Sequence, residues 1–134
     1  MADEFDIIDY VYDAVVAANT GLTVYKDRSI TGEANNHIVI NHLNLNEGDD
    51  EVTDFVSLLP VNVNVFIKLN QNGMIDRAAM KMAVRSIRTS IKNISTINGQ
   101  YRHAHIEWTG RIENLKDGFD CMNIRIVLKL INNN

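Results

Sequence analysis

Apolar and polar positions alternate over Thr53–Leu69. Phe55, Leu59, Val61, Val63, Val65, Ile67 and Leu69 share one side, and Asn62, Asn64 and Lys68 take the other, with Phe66 as the exception. Period two is the signature of a strand with one buried face. Pro60 offers no backbone N–H, so the stretch before it is expected at a sheet edge or a bulge. The β-branched run Ile38-Val39-Ile40 predicts a preceding strand over His37–Leu45, and the turn Asn46–Glu51 holds Gly48 and four acids. Together these segments predict a long hairpin whose tip projects beyond the sheet. Phe119–Ile131 is the last strand, with Met122, Ile124, Ile126, Leu128 and Leu130 on one face. Arg102–Gly110 is a strand with Ala104, Ile106 and Trp108 on one face, and Asn114–Gly118 is the turn after it. Leu22–Lys26 reads as a short strand and Asp27–Asn36 as a loop.

Two segments change to helical spacing. In Asp3–Ala18, Phe5, Ile8, Val11, Tyr12, Val15 and Val16 form one stripe. Asp3 is placed to cap it, and Asn19-Thr20-Gly21 to end it in a left-handed turn. The turn Asn70–Gly73 leads into a second helix over Ile75–Asn93, where Met80, Val84, Ile87, Ile91 and Ile94 repeat at steps of four, three, four and three. The order is α-β-β-β-α-β-β. An α+β fold, a mostly antiparallel sheet with two helices packed on one face, buries every stripe, and residues 1–134 are expected to make one domain.

Charge and composition narrow the picture. The chain is 134 residues, 46% hydrophobic, with a formal net charge of −4. That supports a real core and argues against a protein whose main work is to coat nucleic acid. Cys121 is the single cysteine, so no internal disulfide is available and an oxidising compartment is not indicated. The acidic N-terminus does not read as a signal peptide, and no apolar run reaches the ~20 residues a bilayer span needs. A cytoplasm, or a particle assembled in one, is the expected location.

The second helix carries Arg77, Lys81, Arg85, Arg88 and Lys92 beside its apolar stripe with no acid between them. Like charges at helical spacing repel by a few tenths of a kcal/mol per pair, and helices commonly intersperse acids to relieve this. The first helix has the opposite sign, with Asp6, Asp9 and Asp13. Helices of opposite sign in one chain suit head-to-tail contacts between copies, which close into rings when the rotation permits. An ordinary solvated helix face accounts for the same residues. The hairpin tip, Glu47–Leu59, mixes acids with Phe55, Val56, Leu58 and Leu59; these either cap the core's end or form an arm that covers a neighbour.

Chemistry has less to work with. His103, His105 and Glu107 alternate on one strand and can be read as metal ligands of a small metal-dependent enzyme. A solvated strand face opposite Ala104, Ile106 and Trp108 accounts for them and is the preferred reading. A monomeric adaptor binding an acidic partner through the second helix is a further alternative. Cys121 sits inside a strand pattern, as an inert core thiol does, and nucleophile elbows, Walker loops and dinucleotide motifs are absent. No catalytic residue, metal or cofactor is assigned.

The succession DEFDIIDYVYDAVVAA, NTGLTVYKD, PVNVNVFIKLN, QNGMID, RAAMKMAVRSIRTSI and MNIRIVLKLI resembles the tail terminator or tail-completion family of long-tailed bacteriophages over nearly the whole chain. The resemblance implies a phage or prophage structural protein, located in the virion or host cytoplasm. Its subunits would close into a ring, typically hexameric, that caps the tail tube and meets neck proteins, with DNA passing through the ring. It implies binding without bond chemistry, no membrane, and a long hairpin or loop that orders only on assembly, which suits residues 46–59.

Overall fold

The computed structural model describes residues 4–42, 56–94, 96–97 and 100–131. Their order is α1 (Glu4–Ala17), β1 (Thr23–Lys26), β2 (His37–His42), β3 (Val56–Lys68), α2 (Arg77–Lys92), β4 (Thr96–Ile97), β5 (Gln100–Arg111) and β6 (Phe119–Ile131). The six strands form one sheet in the order β1-β2-β3-β6-β5-β4. The α+β class, two helices on one face and a mostly antiparallel sheet agree with the pattern in the sequence. Two features differ. The two-residue β4 pairs with the start of β5, and β1 runs parallel to β2.

The parallel pair follows from the loop between those strands. Asp27 takes a left-handed conformation (φ 71°) and donates its N–H to the Ile40 carbonyl (2.7 Å), turning the chain out of the sheet. The loop returns over Glu33, which is buried. Glu33 accepts a hydrogen bond from the Tyr25 hydroxyl and one from the Asn35 N–H (3.0 Å), while its carbonyl accepts from Lys116 Nζ (2.9 Å). A buried carboxylate held this way is hydrogen-bonded rather than orphaned, and it fixes where β2 begins.

β3 and β6 are the central pair, in register from Val56↔Ile131 to Lys68↔Phe119. Among the described residues the β2–β3 ladder runs from His37↔Phe66 to His42↔Val61, and β3 continues past it along β6. Val56, Leu58 and Leu59 therefore belong to a strand paired with β6, not to a projecting tip. Their side chains, Phe55 and residues 43–55 as a whole lie outside the described residues.

The core lies between sheet and helices. Val61, Val63, Val65 and Ile67 of β3, Ile124 and Ile126 of β6, and Ile38 and Ile40 of β2 meet Ile7, Ile8, Val11 and Val15 of α1 and Met80, Val84, Ile87 and Ile91 of α2. Ser90 of α2 donates its hydroxyl to the Ala14 carbonyl of α1, tying the helices together. Asp76 caps α2 by accepting from the Ala79 N–H (3.1 Å). On α1 the expected stripe shifts. Phe5 is 70% exposed and Val16 49%, while Ile7 is buried. At 100° per residue Phe5 and Val16 lie roughly 120–140° round from the middle of the Ile7–Val11–Val15 line, outside the arc one sheet face can cover.

The opposite sheet face is more buried than a solvated strand pattern suggests, because every residue from Val61 to Ile67 is buried. Asn62 donates to Asn41 Oδ1 (3.1 Å), and Asn123 Nδ2 is shared between Asn62 (3.2 Å) and Asn64 (2.8 Å). Beyond this amide ladder His37 stacks on Phe66 (centroids 4.6 Å, planes 10° apart) and meets Phe119 edge-on, beside Val39 and Cys121.

Candidate functional site

The sequence patterns that carried charge or chemistry end up in four places. The first is α2, whose outer arc displays Arg77, Lys81, Arg85 and Lys92, all exposed. Among the described residues no ion pair reaches any of these four. Arg88 departs from the stripe: it is half-buried and its guanidinium donates to the Thr109 hydroxyl on β5, so it ties helix to sheet.

Between this arc and the sheet runs an open groove. Met80, Val84 and Met122 supply its apolar floor, and Arg77, Lys81, Arg85 and Arg111 its basic rim. Arg111 is held by a bidentate pair with the buried Asp120 (Nε–Oδ1 2.6 Å, Nη2–Oδ2 3.1 Å). That hydrogen bond, ahead of the partial burial opposing it, raises the guanidinium pKa further above its ordinary value. A second shallow apolar surface lies on the other flank, where Met82 is 73% exposed between Lys81 and Arg85. Arg111 and Met122 could not be assigned to this groove by periodicity. They meet α2 only because Arg111 pairs with Met122 across the β5–β6 ladder.

The second place is α1. Asp9 and Asp13 are exposed, but Asp9 is already engaged by Lys26 of β1 (2.7 Å). The hydrogen bond that Lys26 donates to Asp9 is the main cause raising its pKa, with a smaller contribution from Asp13. The backbone of Asp6 lies in α1, and its side chain is outside the described residues. The acidic helix thus has an ion pair within its own chain, whereas among the described residues none reaches α2.

The third is β5. A register shift falls between Ile106 and Trp108, leaving Glu107 without a ladder partner. Ile106 pairs with Ile126 on the helix side, whereas Trp108 pairs with Arg125, whose Nε donates to Asn62 (3.3 Å) on the opposite face. The bulge therefore turns Trp108 away from the Ala104–Ile106 face that simple alternation assigns it. Its ring lies over Gly110, where no side chain competes for the space. The same shift ends the period-two spacing that would align Glu107 with His105. The side chain of His103 lies outside the described residues, and among those described no three His, Cys, Asp or Glu side chains gather as a metal site.

The fourth is the edge cluster around His37. Its ring is 1% exposed and its Nδ1 lies 2.7 Å from the Asn35 carbonyl. The carbonyl can only accept, so Nδ1 carries the proton. Burial is the main cause lowering the His37 pKa, against the hydrogen bond to Asn35. The Tyr25 hydrogen bond lowers the pKa of Glu33 and raises that of Tyr25 itself. Cys121 is buried beside this cluster, and burial pushes its thiol up to about 12, so it is not a nucleophile. These groups pin a loop to the sheet.

No family model matches the chain, and no curated protein does. Solved structures do. One similar structure is a chain described as the virion of a native gene transfer agent particle, with a TM-score of 0.64 at 11% identity, covering 91% of this chain and 92% of that one. A second solved chain superposes at a TM-score of 0.59 with 12% identity, over 96% of this chain and 92% of its own length. At these identities the likeness is one of fold, and it extends nearly end to end in both cases. Among the described residues no helix is long and apolar enough to cross a membrane.

Proposed function

We propose that the chain is a structural protein of a phage or phage-like particle, a tail-terminator-like subunit that closes into a ring, caps the tail tube and mediates head–tail joining. The observation that carries this reading is the likeness of fold to a virion chain over nine-tenths of both proteins. The surface supports it: four cations without an ion-pair partner among the described residues project from one helix of a chain whose net charge is −4. Such a face repels itself and gains by meeting negative charge on a neighbour. The described polar clusters are structural, and the open groove beside α2 holds cations and apolar groups without a nucleophile or a general base. Binding is therefore the activity this geometry serves best, in a virion or in the host cytoplasm.

The test is the mass of the purified protein by light scattering across a concentration and salt series, joined with electron microscopy of tail tubes incubated with it. A closed oligomer, a hexamer in the expected case, or density at one tube end is the anticipated result. A chain that stays monomeric and leaves tube ends bare refutes the reading.

A further inference from the structure

We propose that the groove beside α2 seats the acidic segment 43–55 of a second copy of this chain. This rests on the reading that the chain assembles with itself, and it names the contact.

The groove presents two chemistries at once. Its rim carries Arg77, Lys81 and Arg85 without counter-ions among the described residues, and its floor is Met80, Val84 and Met122. A suitable occupant needs carboxylates for the cations and apolar side chains for the adaptable methionines. Segment 43–55 reads LNLNEGDDEVTDF: five acids, no Lys or Arg, and interspersed Leu, Val and Phe. A nucleic acid would satisfy the rim, but it brings no aliphatic groups for the floor.

Topology separates the segment from its own groove. It leaves β2 after His42 and enters β3 at Val56, which pairs with Ile131 at one end of the central ladder. The groove floor includes Met122, which pairs with Val65, nine residues farther along β3. Nine residues of strand span ~30 Å. Asp49, Asp50, Glu51 and Asp54 precede Val56 by at most seven residues, and Glu47 by nine. Fully extended, seven residues reach ~25 Å, short of the groove even before the chain rounds the sheet edge; of the five acids only Glu47, with a reach of ~30 Å, approaches it. The same carboxylates meet no such limit across a subunit boundary. The contact joins one surface of a copy to a different surface of the next, the heterologous geometry from which rings are built.

The test uses full-length chains with charges exchanged. One carries Lys81→Glu and Arg85→Glu, one Asp49→Lys and Asp50→Lys, and one all four. Lys81 and Arg85 are exposed, and melting curves establish that each protein is folded. Sedimentation velocity should show association weakened at least tenfold in each double variant. It should be regained in the fourfold variant, and also in an equimolar mixture of the two double variants, where every contact again joins opposite charges. Four proteins that associate equally overturn this contact while leaving the ring reading intact. A wild-type chain that never associates overturns this contact, and the ring reading falls with it only if tail-tube ends also stay bare. Loss of duplex-oligonucleotide binding in the groove variant, with association unchanged, assigns the groove to nucleic acid and overturns the proposal.

Discussion

Replacing Gly110 with alanine should move the only tryptophan in the chain without touching the helix-facing core. A Cβ built at Gly110 comes within 3.0 Å of three atoms of the Trp108 ring. The Gly110 backbone is not in the left-handed region, so alanine fits the strand and the ring must give way. Trp108 is 46% exposed, leaving it free to swing outward. A ring burying about half its surface covers ~100 Å², so complete release costs ~2.5 kcal/mol. Alanine in place of glycine in a strand returns ~0.5–1 kcal/mol through lost freedom of the unfolded chain. The net expectation is a loss of ~1.5 kcal/mol, lowering the melting temperature by ~5 °C. Because there is one tryptophan, its emission reports this site alone. The Gly110→Ala protein should emit to the red of wild type and be more accessible to acrylamide. Unchanged emission and quenching, with equal or higher stability, would refute the placement of the ring and with it the bulge at Glu107.

Other outcomes follow from the buried polar groups. The His37 pKa is depressed in the folded state, so between the folded and unfolded values the unfolded chain binds more protons. Its contribution to stability is therefore complete above about 6.5 and is lost as the pH falls below it; the stability advantage of wild type over His37→Phe should shrink between pH 7 and 5 in urea titrations. Asp76→Ala removes the acceptor for the Ala79 N–H and should cost ~1 kcal/mol, with Asp76→Ser recovering most of it. Cys121, with its thiol pushed up to about 12, should resist iodoacetamide at pH 8 until the chain unfolds, so that labelling tracks the urea transition. Ile87→Ala, at a fully buried position of α2, should lower stability by ~2–5 kcal/mol in the same titration.

Much of the fold was written in local pattern. Val61, Val63, Val65 and Ile67 repeat at period two and Met80, Val84, Ile87 and Ile91 at helical spacing, and all eight are buried against one another. These are short-range signals, because a strand or helix must turn one face to the core wherever that core lies. Where the pattern failed, a longer-range constraint won. The period on β5 assigns Trp108 to the core, yet the extra residue at Glu107 turns it over. Nothing in the residues around 107 announces a bulge, whose energy comes from the partner strand. The α1 stripe included Phe5 because spacing alone does not fix the width of the covered arc.

The candidate site divides the same way. One-signed charge on α2 is a property of sequence, and the sequence alone established that the helix bears cations without acids to balance them. Which cations remain available was decided by the fold: Arg88 is spent on Thr109, Arg111 is brought in from β5 and fixed by Asp120, and Asp9 is neutralised by Lys26. Each of these pairings joins residues far apart in the chain or in separate elements, so each depends on strand register and helix placement. Residue type determined what chemistry the chain could present; the sheet's register determined which side chains stand close enough to present it together.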